Sequence, residues 1–170
     1  MVYCDIGIFI MHKIVFLDLE ATVIDDFTLG WAAAGVNMPL VKEFLKEQAA
    51  DEVKLFSFAL TNDWDVAHYR QMFQKWIDAA LDVKINLEET FTTDKLYRLC
   101  RRNYLVFENE QACMRFHGKQ LGFQRFVELT PEFDDMELVL LDDDVEPMTL
   151  HYPKRNLTVR MVNVADLRAP

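Results

Sequence analysis

Short, continuous apolar runs alternate along this chain with longer segments whose apolar residues recur every three or four positions. KIVFLDL (Lys13 to Leu19) is the first such run, rich in strand formers and, after Lys13, unbroken by charge until Asp18. Its continuity marks a strand covered on both faces. PLVKEFLKEQAA follows, with Leu40, Val41, Phe44 and Leu45 on one helical face and Pro39 in the first turn. EVKLFSFAL (Glu52 to Leu60) predicts a second strand that ends at Thr61-Asn62. DWDVAHYRQMFQKWIDAAL then predicts a helix capped by Asn62 or Asp63, with Asp65 in the first turn where the helix dipole favours acid. DVKIN suggests a short third strand. Asp94 to Arg102 reads as helix, and NEQACMRFHGKQLGFQRFVEL as one or two helices around Gly118. ELVLLDDD (Glu137 to Asp144) and LTVRMVNV (Leu157 to Val164) predict two further strands.

Alternating strands and helices, with apolar strands throughout, predict an α/β fold: a Rossmann-like three-layer arrangement around a parallel sheet. No repeat, linker or low-complexity tract divides the 170 residues, so one domain is expected. Residues 1–12 are expected as an N-terminal extension, Met11 being a second methionine just before the first strand. Two stretches allow at most a small cap or flap. They are Ile24 to Val36, long enough for a flap, and Thr90 to Asn109.

Composition narrows the partners. A net charge of -10 disfavours broad binding to nucleic acid or anionic membrane, and suits carboxylates that hold a metal. Cys4, Cys100 and Cys113 are odd in number and widely spaced, which predicts reduced thiols and a cytoplasmic protein rather than a disulfide framework. No apolar run approaches the length of a membrane span. The acids are the informative feature. Asp18 and Glu20, Thr61 and Asn62, then Asp142 and Asp143 all fall at predicted strand ends, where parallel sheets collect their ligands.

Taken in order, these segments resemble the haloacid dehalogenase-like (HAD) superfamily of phosphohydrolases over roughly Lys13 to Val164. FLDLEAT stands where that family has a strand ending in D-x-D-x-T. FSFALTN stands for the strand ending in Thr or Ser, HGKQLGF for a lysine opening a helix, and ELVLLDDDVEP for a strand ending in paired acids. The resemblance implies Mg²⁺-dependent hydrolysis of a phosphomonoester, a nucleotide or another small phosphorylated metabolite, through an aspartyl-phosphate. It implies Asp18 as nucleophile and Glu20 as acid and base. Thr61, Asn62 and Lys119 would hold the phosphate, and Asp18, Glu20, Asp142 and Asp143 the metal. An anionic nucleophile can approach an anionic phosphate only if cations neutralise both. Glu20 departs from the family's aspartate, and its extra methylene moves the carboxyl by about 1.5 Å. Ser57 lies within the second predicted strand, with Thr61 at its end preferred.

Two other readings stand beside this one. A chain that kept the fold but lost turnover would act by binding a phosphorylated ligand or a protein partner, as an oligomer or in a complex. DLEAT also matches the first motif of DEDD-type 3′–5′ exonucleases, with Asp63 or Asp65 in a second. That fold, however, needs three consecutive antiparallel strands after the first motif, and residues 25–50 predict a loop and a helix. His68, His117 and His151 show no mutual ligand spacing. Trp64, Tyr69, Phe73 and Trp76 read as core, and Arg98, Arg101 and Arg102 as a solvated helix end or an anion clamp.

Overall fold

The computed structural model describes residues 11–25 and 35–168. Cys4, most of the expected N-terminal extension and most of the expected flap lie outside them. The first strand, β1 (His12–Leu17), takes in His12, which was expected in the extension. In chain order there follow α1 (Met38–Gln48), β2 (Glu52–Leu55), α2 (Asp63–Met72), α3 (Gln74–Leu81), α4 (Thr93–Arg102) and α5 (Glu110–Glu128). The chain then forms β3 (Met136–Asp142), β4 (Met148–Tyr152) and β5 (Leu157–Asn163).

One sheet runs in the order β2-β1-β3-β5-β4, with β2, β1, β3 and β5 parallel and β4 antiparallel to β5 at an edge. Strand pleat sends alternate side chains to opposite faces. Val15, Leu17, Val139 and Leu141 therefore pack under α1 and α3 with Val41, Phe44, Ile77 and Leu81. Ile14, Phe16, Leu138 and Leu140 meet α4 and α5 through Leu96, Phe123 and Phe126 on the other face. This is the expected three-layer α/β arrangement. Phe16 makes edge-to-face contacts with Phe123 and Phe126, the geometry aromatic quadrupoles favour.

Several elements differ from the sequence reading. β2 stops at Leu55 rather than Leu60, because the chain turns where Leu60 N–H bonds to Ser57 C=O. The long helix after Asn62 breaks at Phe73 into α2 and α3. DVKIN contributes only an isolated bridge, Ile85 to Val53. The span from Thr90 to Asn109, a candidate cap, instead buries Phe91, Leu96 and Cys100 in the layer beneath the sheet. β4 was not anticipated. Its MTLHY has a period-two pattern, and it joins β5 through a turn whose Asn156 adopts φ 45°.

Candidate functional site

After β1 the chain returns to β2 on one side and, later, to β3 on the other, so the sheet reverses its winding between β1 and β3. Ligands of open α/β sheets gather at the strand carboxyl ends beside such a reversal. Asp18 directly follows β1, and Asp142 ends β3. The two strands pair in register up to Leu17 and Leu141, and Asp18 N–H bonds to Leu141 C=O at 3.0 Å. Neighbouring strands thus deliver two carboxylates to the same point, and Asp143 adds a third. One carboxylate oxygen from each lies within 4.8 Å of the others.

Lys119 enters from the α4–α5 layer. Its Nζ lies 2.7 Å from Asp18 Oδ2, 3.3 Å from Asp142 Oδ1 and 3.1 Å from Asp143 Oδ1. Local backbone chemistry makes this reach possible. Gly118 interrupts α5 with φ 61° and ψ -172°, a region essentially closed to residues with a Cβ. A fresh helical segment therefore starts at Lys119, as the sequence had suggested.

Asp18 and Asp142 are almost completely buried. Burial raises the Asp18 pKa, opposed by the Lys119 charge and by hydrogen bonds from Lys119 and Ser57. Burial and then the Asp18 charge push Asp142 up to about 7, with Lys119 opposing. Burial alone would lower the pKa of Lys119. The charges of Asp18 and Asp142 outweigh it and hold the ammonium well above its ordinary range. Asp142 Oδ1 accepts from Asp144 N–H at 2.8 Å, while Oδ2 is buried with no hydrogen-bond partner.

With its carboxylates ionised, the cluster has two negative charges in excess of the one ammonium. That surplus, the orphaned oxygen and the all-oxygen donor set fit a hard divalent cation. Asp18, Asp142 and Asp143 would hold it. Glu20 does not join this group. It is exposed just before the turn at Ala21 (φ 57°) and, with Leu60, Asp65, His68 and Tyr69, lines a cavity of about 270 Å³.

The second strand presents a different residue from the preferred one. Asn62 caps α2, its Oδ1 accepting from Trp64 N–H at 2.8 Å. Asp65 completes a capping box by accepting from Asn62 N–H at 3.2 Å, and it also takes the backbone N–H and the hydroxyl of Thr61. Thr61 and Asn62 thus serve a helix start, whereas Ser57, two residues past the end of β2, bonds to Asp18. Strand length was the missing signal: β2 pairs with β1 only as far as Leu55 opposite Leu17. Sequence reasoning also missed Asn163 at the end of β5. Its Nδ2 donates to Asp143 C=O at 3.0 Å and Val145 C=O at 2.9 Å, fixing the loop that carries the third carboxylate.

His68, His117 and His151 do not converge. His68 stacks on Trp64, His117 is buried in α5, and His151 sits on the edge strand β4. Arg98 pairs with Asp94 on its own helix, and Arg101 lies over the Tyr97 ring. Among the described residues, no helix is long and apolar enough to cross a membrane. Comparisons with protein families, with curated proteins and with solved structures find no match to this chain.

Proposed function

We propose that this protein is a HAD-like, Mg²⁺-dependent phosphomonoester hydrolase working through an aspartyl-phosphate. The observation that carries the reading is the meeting of Lys119 with Asp18, Asp142 and Asp143 across the sheet's winding reversal. Bound by the three aspartates, Mg²⁺ would neutralise the nucleophile and the phosphate oxygens it approaches.

The chain's own groups divide the remaining work. An Asp18 carboxylate oxygen attacks phosphorus, forming the acyl-phosphate bond as the ester P–O bond breaks. Glu20, two residues after Asp18 in the chain though outside the carboxylate cluster, would protonate the departing oxygen. It then takes a proton from the water that attacks phosphorus, which releases inorganic phosphate and restores Asp18. Lys119 offsets charge on the phosphate, and Ser57 orients Asp18. In this reading the substrate is a nucleotide or another small phosphorylated metabolite.

One experiment tests this reading. Phosphate release is measured from a panel of phosphomonoesters and nucleotides, with Mg²⁺ and with chelator, for wild type and Asp18→Asn. Single-stranded DNA and RNA are included. Mg²⁺-dependent release, abolished in the variant, is the expected result. Retained release in Asp18→Asn overturns the mechanism. Silence across the panel from folded protein replaces it with a HAD-fold binding protein, and metal-dependent degradation of the oligonucleotides alone replaces it with a nuclease.

A further inference from the structure

Beneath the sheet, on the α4–α5 layer, three soft donors meet. Cys100 lies in the last turn of α4. Cys113 and His117 lie one helical turn apart in α5, a spacing that puts both on the same face. All three are buried, both thiols completely, and one ligand atom from each lies within 4.8 Å of the others.

The spacing matches a shared ion. Zinc takes thiolate at about 2.3 Å and imidazole at about 2.0–2.1 Å, so tetrahedral ligands of one ion sit about 3.5 Å apart, sulfur to nitrogen. Cys113 Sγ and His117 Nδ1 are 3.6 Å apart. The same Nδ1 lies 2.9 Å from Cys113 C=O and donates its proton there when no ion is bound, while Nε2 is buried with no hydrogen-bond partner. The ring packs against Phe107 and Phe116, surroundings that receive an N–H better than a lone pair.

We propose that Cys100, Cys113 and His117 form a zinc site that pins α4 to α5 immediately before the break at Gly118. Zn²⁺ displaces the two thiol protons, which leave to solvent, and the imidazole proton moves from Nδ1 to Nε2. Two thiolates and a neutral imidazole around a divalent ion give no net charge, which is what a site this deeply buried requires. The donors also separate this site from the carboxylates of Asp18, Asp142 and Asp143, because soft thiolates select Zn²⁺ and oxygen ligands select Mg²⁺. His117 lies two residues before Lys119, so an ion here would stiffen the turn that presents the ammonium to the acidic site. The site stands independently of the proposed hydrolase activity.

The test is titration of the reduced full-length protein with Co²⁺, followed by displacement with Zn²⁺. One equivalent of Co²⁺ should produce sulfur-to-metal charge-transfer absorption, and one equivalent of Zn²⁺ should abolish it. Asp18→Asn and Cys4→Ser should leave the signal unchanged, whereas His117→Gln and Cys113→Ser should remove it. Should those variants fail to fold, the melting temperature of wild type decides, rising with Zn²⁺ in Asp18→Asn as well as in wild type. Absence of the charge-transfer signal in folded wild type overturns the proposal. So does a signal that survives in folded His117→Gln and Cys113→Ser.

Discussion

Lys119 Nζ lies 2.7 Å from Asp18 Oδ2, although 101 positions separate them in the chain. The same ammonium reaches Asp142 and Asp143, so a single cation faces three carboxylates, two of them almost fully buried. Removing it strands those charges. Lys119→Met is expected to cost about 3–5 kcal/mol, the range for a buried ion pair that loses one member. Urea unfolding in chelator measures this, and the loss should shrink at acid pH as the carboxylates protonate. An unchanged midpoint at pH 7 would show that Lys119 is not what balances them.

Gly118→Ala tests the backbone that aims Lys119. A Cβ at this position meets no atom within 4 Å, so the penalty is conformational rather than steric. With φ 61° and ψ -172° it should amount to about 1–3 kcal/mol. Any phosphate release should fall further than this stability change explains, because a straightened helix carries the ammonium away. Equal stability in the two proteins would contradict the conformation.

Ser57→Ala and Thr61→Ala separate two neighbouring hydroxyls. Thr61→Ala removes a donor to the capping residue Asp65 and should cost about 1 kcal/mol of stability, with little effect on turnover. Ser57→Ala removes a hydrogen bond to Asp18 and should raise its pKa and depress kcat. The pH–rate profile distinguishes them: its acidic limb should move in Ser57→Ala alone. A shift confined to Thr61→Ala would reverse the assignment.

Asp142 makes the metal-free protein sensitive to pH. Its pKa is raised by burial, and by Asp18, to about 7 from an ordinary value of 3.8. The native state therefore holds this proton more tightly than the unfolded chain does. The resulting stabilisation is complete below 3.8 and is lost as pH rises through about 7. Unfolding of wild type and Asp142→Asn in chelator should show a difference in slope across that window. Parallel curves would mean that Asp142 titrates normally.

Asn163→Ala should loosen the β3–β4 loop by removing two hydrogen bonds to its carbonyls. The expected result is a 10- to 100-fold weaker affinity for Mg²⁺, on the order found when groups supporting metal ligands are lost. Isothermal titration would detect it. Unchanged affinity would show that the loop holds its shape without Asn163.

The apolar pattern alone determined the layers. Continuous runs such as Lys13 to Leu17 and Leu138 to Leu141 can be buried only as strands covered on both faces, and the helical stripes between them supply the covers. Capping at Asn62 was equally local, since an amide oxygen and the N–H groups beside it are neighbours in sequence. The acids at Asp18 and Asp142 were legible too, because charge that interrupts a buried strand must sit at its mouth.

Other features depended on register and on distance. Where β2 stops is decided by its pairing with β1, and that choice hands the place beside Asp18 to Ser57 rather than Thr61. β4 exists because β5 offers an edge, and five residues of weak alternation become a strand only against that partner. Asn163 bonds two carbonyls about twenty positions away. The meeting of Cys100 with Cys113 and His117 requires α4 and α5 to pack side by side. Hydrogen bonds and cation sites act over a few ångströms, and no spacing along the chain specifies which distant groups the packed sheet brings that close.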